Sequence, residues 1–191
     1  MLKELVERSR SYRSFEPDFE ISEETLLDMV DTARKCSAAM NTQTLKYRLV
    51  TDVDEKKALL GVTRWAARLG IKLPPESHEP SAYIVICHDE AVAPFKPIFM
   101  YDVGICAQTL MLAAAEKGIG GCIIGSATEN DIRGVLGLCD SLLPKLIIAL
   151  GKADEKVVLT EAVDGNTDYY RDENGVHYSP KRALCDIVIK R

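Results

Sequence analysis

Apolar residues fall into continuous runs and spaced patterns, and the two kinds of segment predict different elements. Residues 82–88 and 145–151 are almost uninterrupted runs of β-branched and other apolar residues, as in strands that are covered on both faces. Residues 47–51 and 122–125 are shorter segments of the same kind. The sequence therefore predicts strands at these four places.

Helical spacing appears between the predicted strands. After Ser22, apolar residues recur at Leu26, Met29, Val30 and Ala33, and Ser22 itself can cap the first turn. Thr128 stands in the same position before Ile132, Val135 and Leu136. Amphipathic helices are predicted after both residues. Shorter helices are predicted at residues 3–9, 54–61 and 63–69.

The segment from Asp102 to Gly118 has almost no polar face. Asp102 is predicted to cap its start, and Gly118 to take the left-handed conformation that ends a helix. A helix that is apolar all round must be covered on every side, so it is predicted to be central. Its small residues would allow close approach of neighbouring elements, including a second copy of the chain. A core helix without further function is the alternative.

The remaining segments are polar. Residues 73–80 contain three prolines and are predicted to be a surface loop, and residues 154–178 are predicted to be irregular with a turn at residues 172–175. Pro180 is predicted in the first turn of a closing helix. Alternating strands and helices indicate an α/β or α+β fold, with a sheet between helical layers, in one domain of residues 1–191.

Composition excludes several classes of protein. The chain is 47% apolar and 28% charged, which is typical of a globular protein, and no apolar run approaches the roughly 18 residues of a membrane helix. Charges near the amino terminus argue against a secretory signal, so a cytoplasmic protein without a membrane partner is predicted. The net charge of −5 argues against nucleic-acid binding.

Motifs for metals, nucleotides and covalent catalysis are missing from the sequence. The six cysteines include no Cys-x-x-Cys pair, and the three histidines are not spaced as ligand pairs, so no metal is expected. Residues 118–121 do not fit G-x-G-x-x-G, and no P-loop or G-x-S-x-G motif is found. The sequence therefore argues against a dinucleotide-binding Rossmann fold, a P-loop enzyme and a serine hydrolase.

Two polar segments are candidates for ligand binding. Arg10, Ser11 and Arg13 lie in a non-helical segment, after which Pro17 forces an extended connection, and guanidinium and hydroxyl groups suit phosphate oxygens. Asn41 and Gln43 follow a run of small residues, where backbone could approach a flat ligand closely. An ordinary surface loop and an ordinary polar turn remain the alternatives for these segments.

Five motifs occurring in one order resemble the nitroreductase family of FMN-dependent oxidoreductases. They are residues 10–15 (Arg-Ser-Tyr-Arg-Ser-Phe), 41–43 (Asn-Thr-Gln), 102–104 (Asp-Val-Gly), 118–125 (Gly-Ile-Gly-Gly-Cys-Ile-Ile-Gly) and 180–182 (Pro-Lys-Arg). The resemblance spans nearly the whole chain. It implies an α+β, three-layer sandwich with a mainly antiparallel central sheet flanked by helices, and an intertwined homodimer with FMN at the interface.

The resemblance also implies roles for individual residues. Arg10, Ser11 and Arg13 would hold the flavin phosphate and pyrimidine edge, and Lys181 with Arg182 would complete the phosphate site. Ile123, Ile124 and Gly125 would pack against the flavin ring. Further residues would line the ring partly from the partner chain, namely Ser37, Ala38, Ala39 and Asn41. No catalytic side chain is expected, because solvent can supply protons.

The chain departs from the family pattern at three places. Ser9 replaces a second arginine, Ser37-Ala38 replaces a Pro-Ser pair, and Thr44-Leu45 replaces a Pro-Trp pair. The implied activity is hydride transfer from NADH or NADPH to FMN and then to a small electron-poor acceptor. The alternatives are a specialised flavin enzyme, such as a reductive dehalogenase or a flavin-fragmenting enzyme, and an FMN-binding redox sensor or storage protein.

Overall fold

A four-stranded antiparallel sheet forms the centre of the protein in the computed structural model, which describes residues 1–189. Its strands lie in the order β1-β2-β4-β3. All neighbouring pairs are antiparallel. The bounds are Leu45–Val50 for β1, Ala82–Asp89 for β2, Gly120–Ile124 for β3 and Leu142–Gly151 for β4.

Helices cover both faces of this sheet. Helices α2 (Glu23–Ala33) and α4 (Phe99–Glu116) pack on one face, and α3 (Val53–Val62) and α5 (Glu129–Leu136) pack on the other. Helices α1 (Leu2–Arg8) and α6 (Leu184–Ile187) contain no buried residue. The capping predictions for α2 and α5 are confirmed: Ser22 Oγ accepts a hydrogen bond from Thr25 N at 3.2 Å, and Thr128 Oγ1 accepts one from Asp131 N at 3.1 Å. Within residues 1–189, no helix is long and apolar enough to cross a membrane.

The alternation of side chains along β2 and β4 divides the core into two layers. Ile84, Ile86 and Leu150 pack with α2 and α4 on one face. Tyr83 and Val85 pack on the other face with residues of α3 and α5. Strand β2 is buried on both faces except at its last residue, as its continuous apolar pattern predicts. The predicted α+β three-layer sandwich is thus confirmed.

Helix α4 differs from its prediction at its start and on one face. It begins at Phe99, so Asp102 lies inside the first turn instead of capping the helix. The buried Asp102 carboxylate accepts a hydrogen bond from Ala39 N at 2.8 Å, which couples it to another loop. In the single chain the helix is not covered all round: Tyr101 is 72% exposed and Ile105 is 43% exposed. Gly118 does adopt φ +72° after the helix, as predicted.

The carboxyl-terminal third contains strands that the sequence pattern does not predict. Strands β5 (Val157–Glu161), β6 (Tyr170–Arg171) and β7 (His177–Lys181) form a second sheet in the order β5-β7-β6. Pro180 lies in β7, so its predicted place in a helix is wrong. Because β6 pairs only with His177 and Tyr178, Pro180 lies where β7 has a partner on one side only. The helix predicted at residues 63–69 is also wrong, apart from one 3₁₀ turn at Ala67–Leu69.

The segment at residues 10–16 lies along the edge of the central sheet. Tyr12 N donates a hydrogen bond to Gly121 O at 2.9 Å, and Phe15 forms a β-bridge with Ala153. Phe15 is fully buried and packs directly over Gly151. These contacts fix the amino-terminal segment beside β3, where its arginines and serines meet the second sheet.

Gly151→Ala is expected to destabilise the protein by about 1–3 kcal/mol, because a rigid buried ring blocks the added methyl group. A Cβ at this position would lie 2.7 Å from Phe15 Cδ1. Chemical denaturation measures the loss. Gly134→Ala in α5 is the matched control: nothing lies within 4 Å of its added Cβ, and it should be neutral or stabilising by up to about 1 kcal/mol. Equal midpoints for the two variants would contradict the close-packing interpretation.

Candidate functional site

A cavity of about 300 Å³ lies where the amino-terminal segment, α4, β3 and the second sheet meet. All four parts contribute to its wall, so residues distant in sequence converge there. The lining residues are Ser9, Arg10, Ser11, Arg13, Gln108, Met111, Ile123, Val157, Tyr169, His177, Ser179 and Lys181.

The cavity carries an excess of hydrogen-bond donors and positive charge. Arg10, Arg13 and Lys181 line it. Arg10 donates to Val6 O through one terminal nitrogen, while its Nε is buried without a hydrogen-bond partner. A buried donor without a partner is costly unless a ligand accepts from it. The cavity is therefore suited to an anion.

One face of β7 supplies three of the lining residues. His177, Ser179 and Lys181 occupy alternate positions, and alternate residues of a strand point to the same side. The strand thereby presents an imidazole, a hydroxyl and an ammonium group to the same cavity. The sequence alone placed this segment in an irregular region followed by a helix.

Arg13 is held by several contacts. Its guanidinium donates to Ser11 O at 3.1 Å and lies 5.5 Å from the centre of the Tyr169 ring. Its backbone N–H donates to the carboxylate of Glu155, which also forms an ion pair with Arg171. The Glu155 side chain is only 5% exposed. This carboxylate connects the amino-terminal segment to the second sheet.

His177 is the most perturbed titratable group in the cavity wall. The residue is 3% exposed, and its ring lies 5.3 Å from the Tyr169 ring. Burial, together with the positive charges of Arg13 and Arg171, lowers the pKa of His177 to about 4. Its imidazole is therefore neutral at neutral pH. Its Nδ1 is buried without a hydrogen-bond partner.

A smaller pocket of about 100 Å³ adjoins the cavity and shares Arg13 and Ile123 with it. Its other lining residues include Ile124, Gly125 and Trp65. The segment around Trp65 is fixed over β3 by Ser126, whose Oγ accepts from Arg64 N at 2.9 Å and donates to Arg64 O at 2.8 Å. The wall mixes polar groups with the apolar side chains of Trp65, Ile123 and Ile124, and these side chains could pack against a flat ring next to a cavity that suits an anion.

Seven of the predicted site residues line these two spaces, which share Arg13 and Ile123. Five of them line the larger cavity, namely Arg10, Ser11, Arg13, Ile123 and Lys181. Ile124 and Gly125 line the adjoining pocket. Arg182 is exposed and follows the end of β7, outside the lining of both spaces. The specific contacts predicted for these residues remain predictions.

The loop that contains Ser37, Ala38, Ala39 and Asn41 lies elsewhere in the single chain. Ala39 is bonded to Asp102 of α4, whereas Met111 of the same helix lines the cavity. Nine helical residues correspond to a rise of about 13 Å and a rotation of about 180° about the axis. The loop and the cavity are therefore on opposite sides of α4.

Sequence reasoning missed several lining residues, including the aromatic residues Tyr169 and His177. Both belong to a segment that the sequence predicts to be irregular. The alternation at residues 177–181 was the available signal, but Pro180 favoured a helix start instead. Within residues 1–189, no group of three or more His, Cys, Asp or Glu side chains is arranged to hold a metal ion.

The family model described as the nitroreductase family matches residues 6–82 and 78–152, which is well over half of the chain. The chain belongs to the nitroreductase family. A nitroreductase family protein from Streptococcus pneumoniae TIGR4 has a similar structure, with a TM-score of 0.75 at 17% identity and full coverage of both chains. The family-model match confirms the family that the sequence motifs indicated.

Two further solved structures have the same fold as this nitroreductase-family protein. A proposed NAD(P)H:FMN oxidoreductase from Staphylococcus epidermidis ATCC 12228 superposes with a TM-score of 0.74 at 17% identity, covering 100% of this chain and 96% of the other. The enone reductase CLA-ER superposes with a TM-score of 0.70 at 17% identity, covering 85% and 93%. At these identities the similarity shows the fold, and family membership supports oxidoreductase chemistry.

Proposed function

We propose that the protein is an FMN-dependent oxidoreductase that uses NADH or NADPH to reduce electron-poor acceptors such as nitroaromatics, quinones or activated alkenes. The observation that carries the proposal is that a cationic cavity and a smaller pocket with apolar side chains in its wall share Arg13 and Ile123 within a nitroreductase fold. An FMN molecule has a corresponding division, with an anionic phosphate at one end and a flat ring at the other.

The residues present fit this cofactor. Arg10 Nε needs an acceptor, and Arg10, Lys181 and the serine hydroxyls of the cavity can donate to phosphate oxygens. Ile123, Ile124 and Gly125 would lie against the ring. Gly125 is exposed at the end of β3, so its backbone is open to close approach by a ligand.

Bound FMN would supply the redox chemistry, taking a hydride from NAD(P)H and passing it to the acceptor in two separate steps. The protein's contribution would be positioning and electrostatics. Arg13, fixed by Ser11 and Glu155, would place a permanent positive charge where the reduced cofactor becomes anionic. Trp65 and Ile124 would exclude water from one end of the site.

A homodimer would complete the site. The predicted ring-lining loop at residues 37–41 lies on the opposite side of α4 from the cavity, and Tyr101, Gly104, Ile105 and Gln108 form an exposed stripe on that helix. A second copy packed on this stripe would bury Tyr101 and Ile105. It could also bring its own Asn41 to the first chain's cavity. Size-exclusion chromatography with light scattering tests this arrangement.

The function is tested by purifying the protein, adding FMN and following the flavin spectrum anaerobically. We expect bound flavin that NADH or NADPH reduces within seconds, followed by reoxidation with a quinone or nitroaromatic acceptor. A protein that stays colourless after addition of FMN would refute the proposal. Bound flavin without reduction by either nicotinamide would instead favour the sensor or storage protein.

Arg13→Ala is expected to weaken FMN binding by about 1.5–3 kcal/mol, the usual cost of losing a hydrogen bond to a charged group. Titration calorimetry or flavin fluorescence measures the change. Arg34→Ala is the control, because Arg34 is an exposed residue after α2 that pairs with Asp31 and does not line the cavity. Equal FMN affinity in the Arg13 variant and the wild type would remove Arg13 from the site.

A specialised flavin enzyme is a second candidate, favoured by the cover that residues 64–66 form over one end of the site. Arg68 of the same region forms an ion pair with Asp168, which links the cover to the loop before β6. Such a cover would select a narrow group of acceptors. Efficient turnover with many unrelated quinones would argue against this candidate.

A further inference from the structure

The buried imidazole of His177 has no role in the proposed function so far, because the charges of Arg10, Arg13 and Lys181 would suffice to bind the FMN phosphate. His177 lines the cavity, and its backbone is fixed because His177 N donates to Lys156 O at 2.9 Å. Its Nδ1 is buried and has no hydrogen-bond partner. A polar side chain that is 97% buried and incompletely bonded is costly, and in a cavity wall it points to a ligand-dependent role.

Positive charge faces this ring from several elements. Arg13 approaches from the amino-terminal segment and Arg171 from β6, while Lys181 lies on the same face of β7. Glu155 is the nearby negative group, and it is occupied by Arg171 and the backbone of Arg13. These cations, with burial, lower the pKa of His177 to about 4 and keep the imidazole neutral.

An anion entering the cavity would reverse this balance. A sphere of about 300 Å³ is about 8 Å across, so an anion anywhere inside lies near every lining group. Charges at that separation still interact appreciably at the effective dielectric constant of about 20 that describes protein sites. A phosphate monoester dianion would offset Arg13 and Arg171 and favour the protonated imidazole.

We propose that His177 is a proton-accepting ligand of this cavity, neutral in the free protein and protonated from solvent when a phosphate monoester such as that of FMN binds. The inference rests on the proposed function and deepens it. No covalent bond changes: one proton moves from water or buffer to the imidazole. The phosphate then meets a fourth positive charge beside Arg10, Arg13 and Lys181.

The test is calorimetric titration of FMN into the full-length protein near pH 6, in two buffers with different heats of ionisation. The phosphate monoester itself releases protons on binding, since its second pKa is about 6. His177→Gln, which cannot titrate, therefore serves as the reference. We expect the wild type to take up about half a proton more per FMN than His177→Gln. His78→Gln is the control, because His78 pairs with Asp154 outside the cavity.

Affinity provides a second readout. Between about pH 7.5 and 5.5, the ratio of wild-type to His177→Gln affinity for FMN should rise as the pH falls, by at most tenfold per pH unit. Riboflavin, which lacks the phosphate, should show a constant ratio. The inference is overturned if the proton difference is zero, or if riboflavin behaves like FMN.

Two further measurements separate this inference from the proposed function. Inorganic phosphate is titrated as well: if it binds with the extra proton while FMN does not bind, the proposed function fails and the role of His177 stands. If neither ligand binds, both fail. Should His177→Gln not fold, NMR of the wild-type histidine ring decides, because phosphate or FMN must convert the neutral ring to the charged form near pH 6.

Discussion

Glu155→Ala is expected to lower the free energy of unfolding by about 3–5 kcal/mol, the largest effect of any substitution considered for this protein. The Glu155 side chain is 5% exposed and that of Arg171 is 17% exposed. Removing the carboxylate leaves a largely buried guanidinium without its counter-ion, and it also removes the acceptor of the Arg13 backbone N–H. Urea denaturation monitored by circular dichroism measures the loss.

The matched control for this variant is Asp168→Ala. Asp168 also forms an ion pair with an arginine, Arg68, but both side chains are more than 60% exposed. Exposed pairs contribute about 0–1 kcal/mol, so this variant should unfold at nearly the wild-type denaturant concentration. Similar losses in the two variants would show that burial does not determine the energetic role of Glu155.

Acidification is the second large expected effect, and it acts through His177. Its pKa is lowered from the ordinary 6.5 to about 4 in the folded protein, so between these values the unfolded chain binds more protons than the folded one. Stability should therefore be complete above about pH 6.5 and fall as the pH decreases towards 4. The contribution of this residue to the loss is at most about 3 kcal/mol, from 1.36 kcal/mol per pKa unit.

Denaturation of the cofactor-free protein at a series of pH values measures this slope. His177→Gln removes the titrating group, so its unfolding free energy should decrease less steeply over the same interval. His78→Gln is the control and should keep the wild-type slope, because His78 pairs with Asp154 outside the cavity. Parallel curves for the wild type and His177→Gln would show that the imidazole is not kept neutral by its surroundings.

Elements that depend on local interactions were predictable from the sequence. The cap at Ser22 and the apolar positions that follow specify α2 within about 12 residues of chain. The β-branched run at residues 82–88 specifies a strand that is buried on both faces, because its residues favour strands and the run is short for a helix. Gly118 was also predictable as a helix end, because a left-handed conformation depends on the residue itself and glycine adopts it readily.

Elements that depend on distant partners were not predictable from the sequence. Asp102 is a residue type that often caps helices, but α4 begins three residues earlier. The Asp102 carboxylate instead accepts a hydrogen bond from Ala39 N. Pro180 is suitable for a helix start, but pairing of β7 with β5 places it in a strand. In each case a contact with a residue more than 15 positions away outweighs the local preference.

The sequence by itself determined a sheet between helical layers and, through its resemblance to the nitroreductase family, the α+β class and the cationic residues at the two ends of the chain. Only the tertiary structure decided that Arg10 and Arg13 share a cavity with Lys181, that His177 and Tyr169 belong to its wall, and that residues 37–41 do not. The physical reason is that periodicity records which side of an element is buried. It does not record which other element covers that side, and charge, desolvation and cavity shape depend on that neighbour.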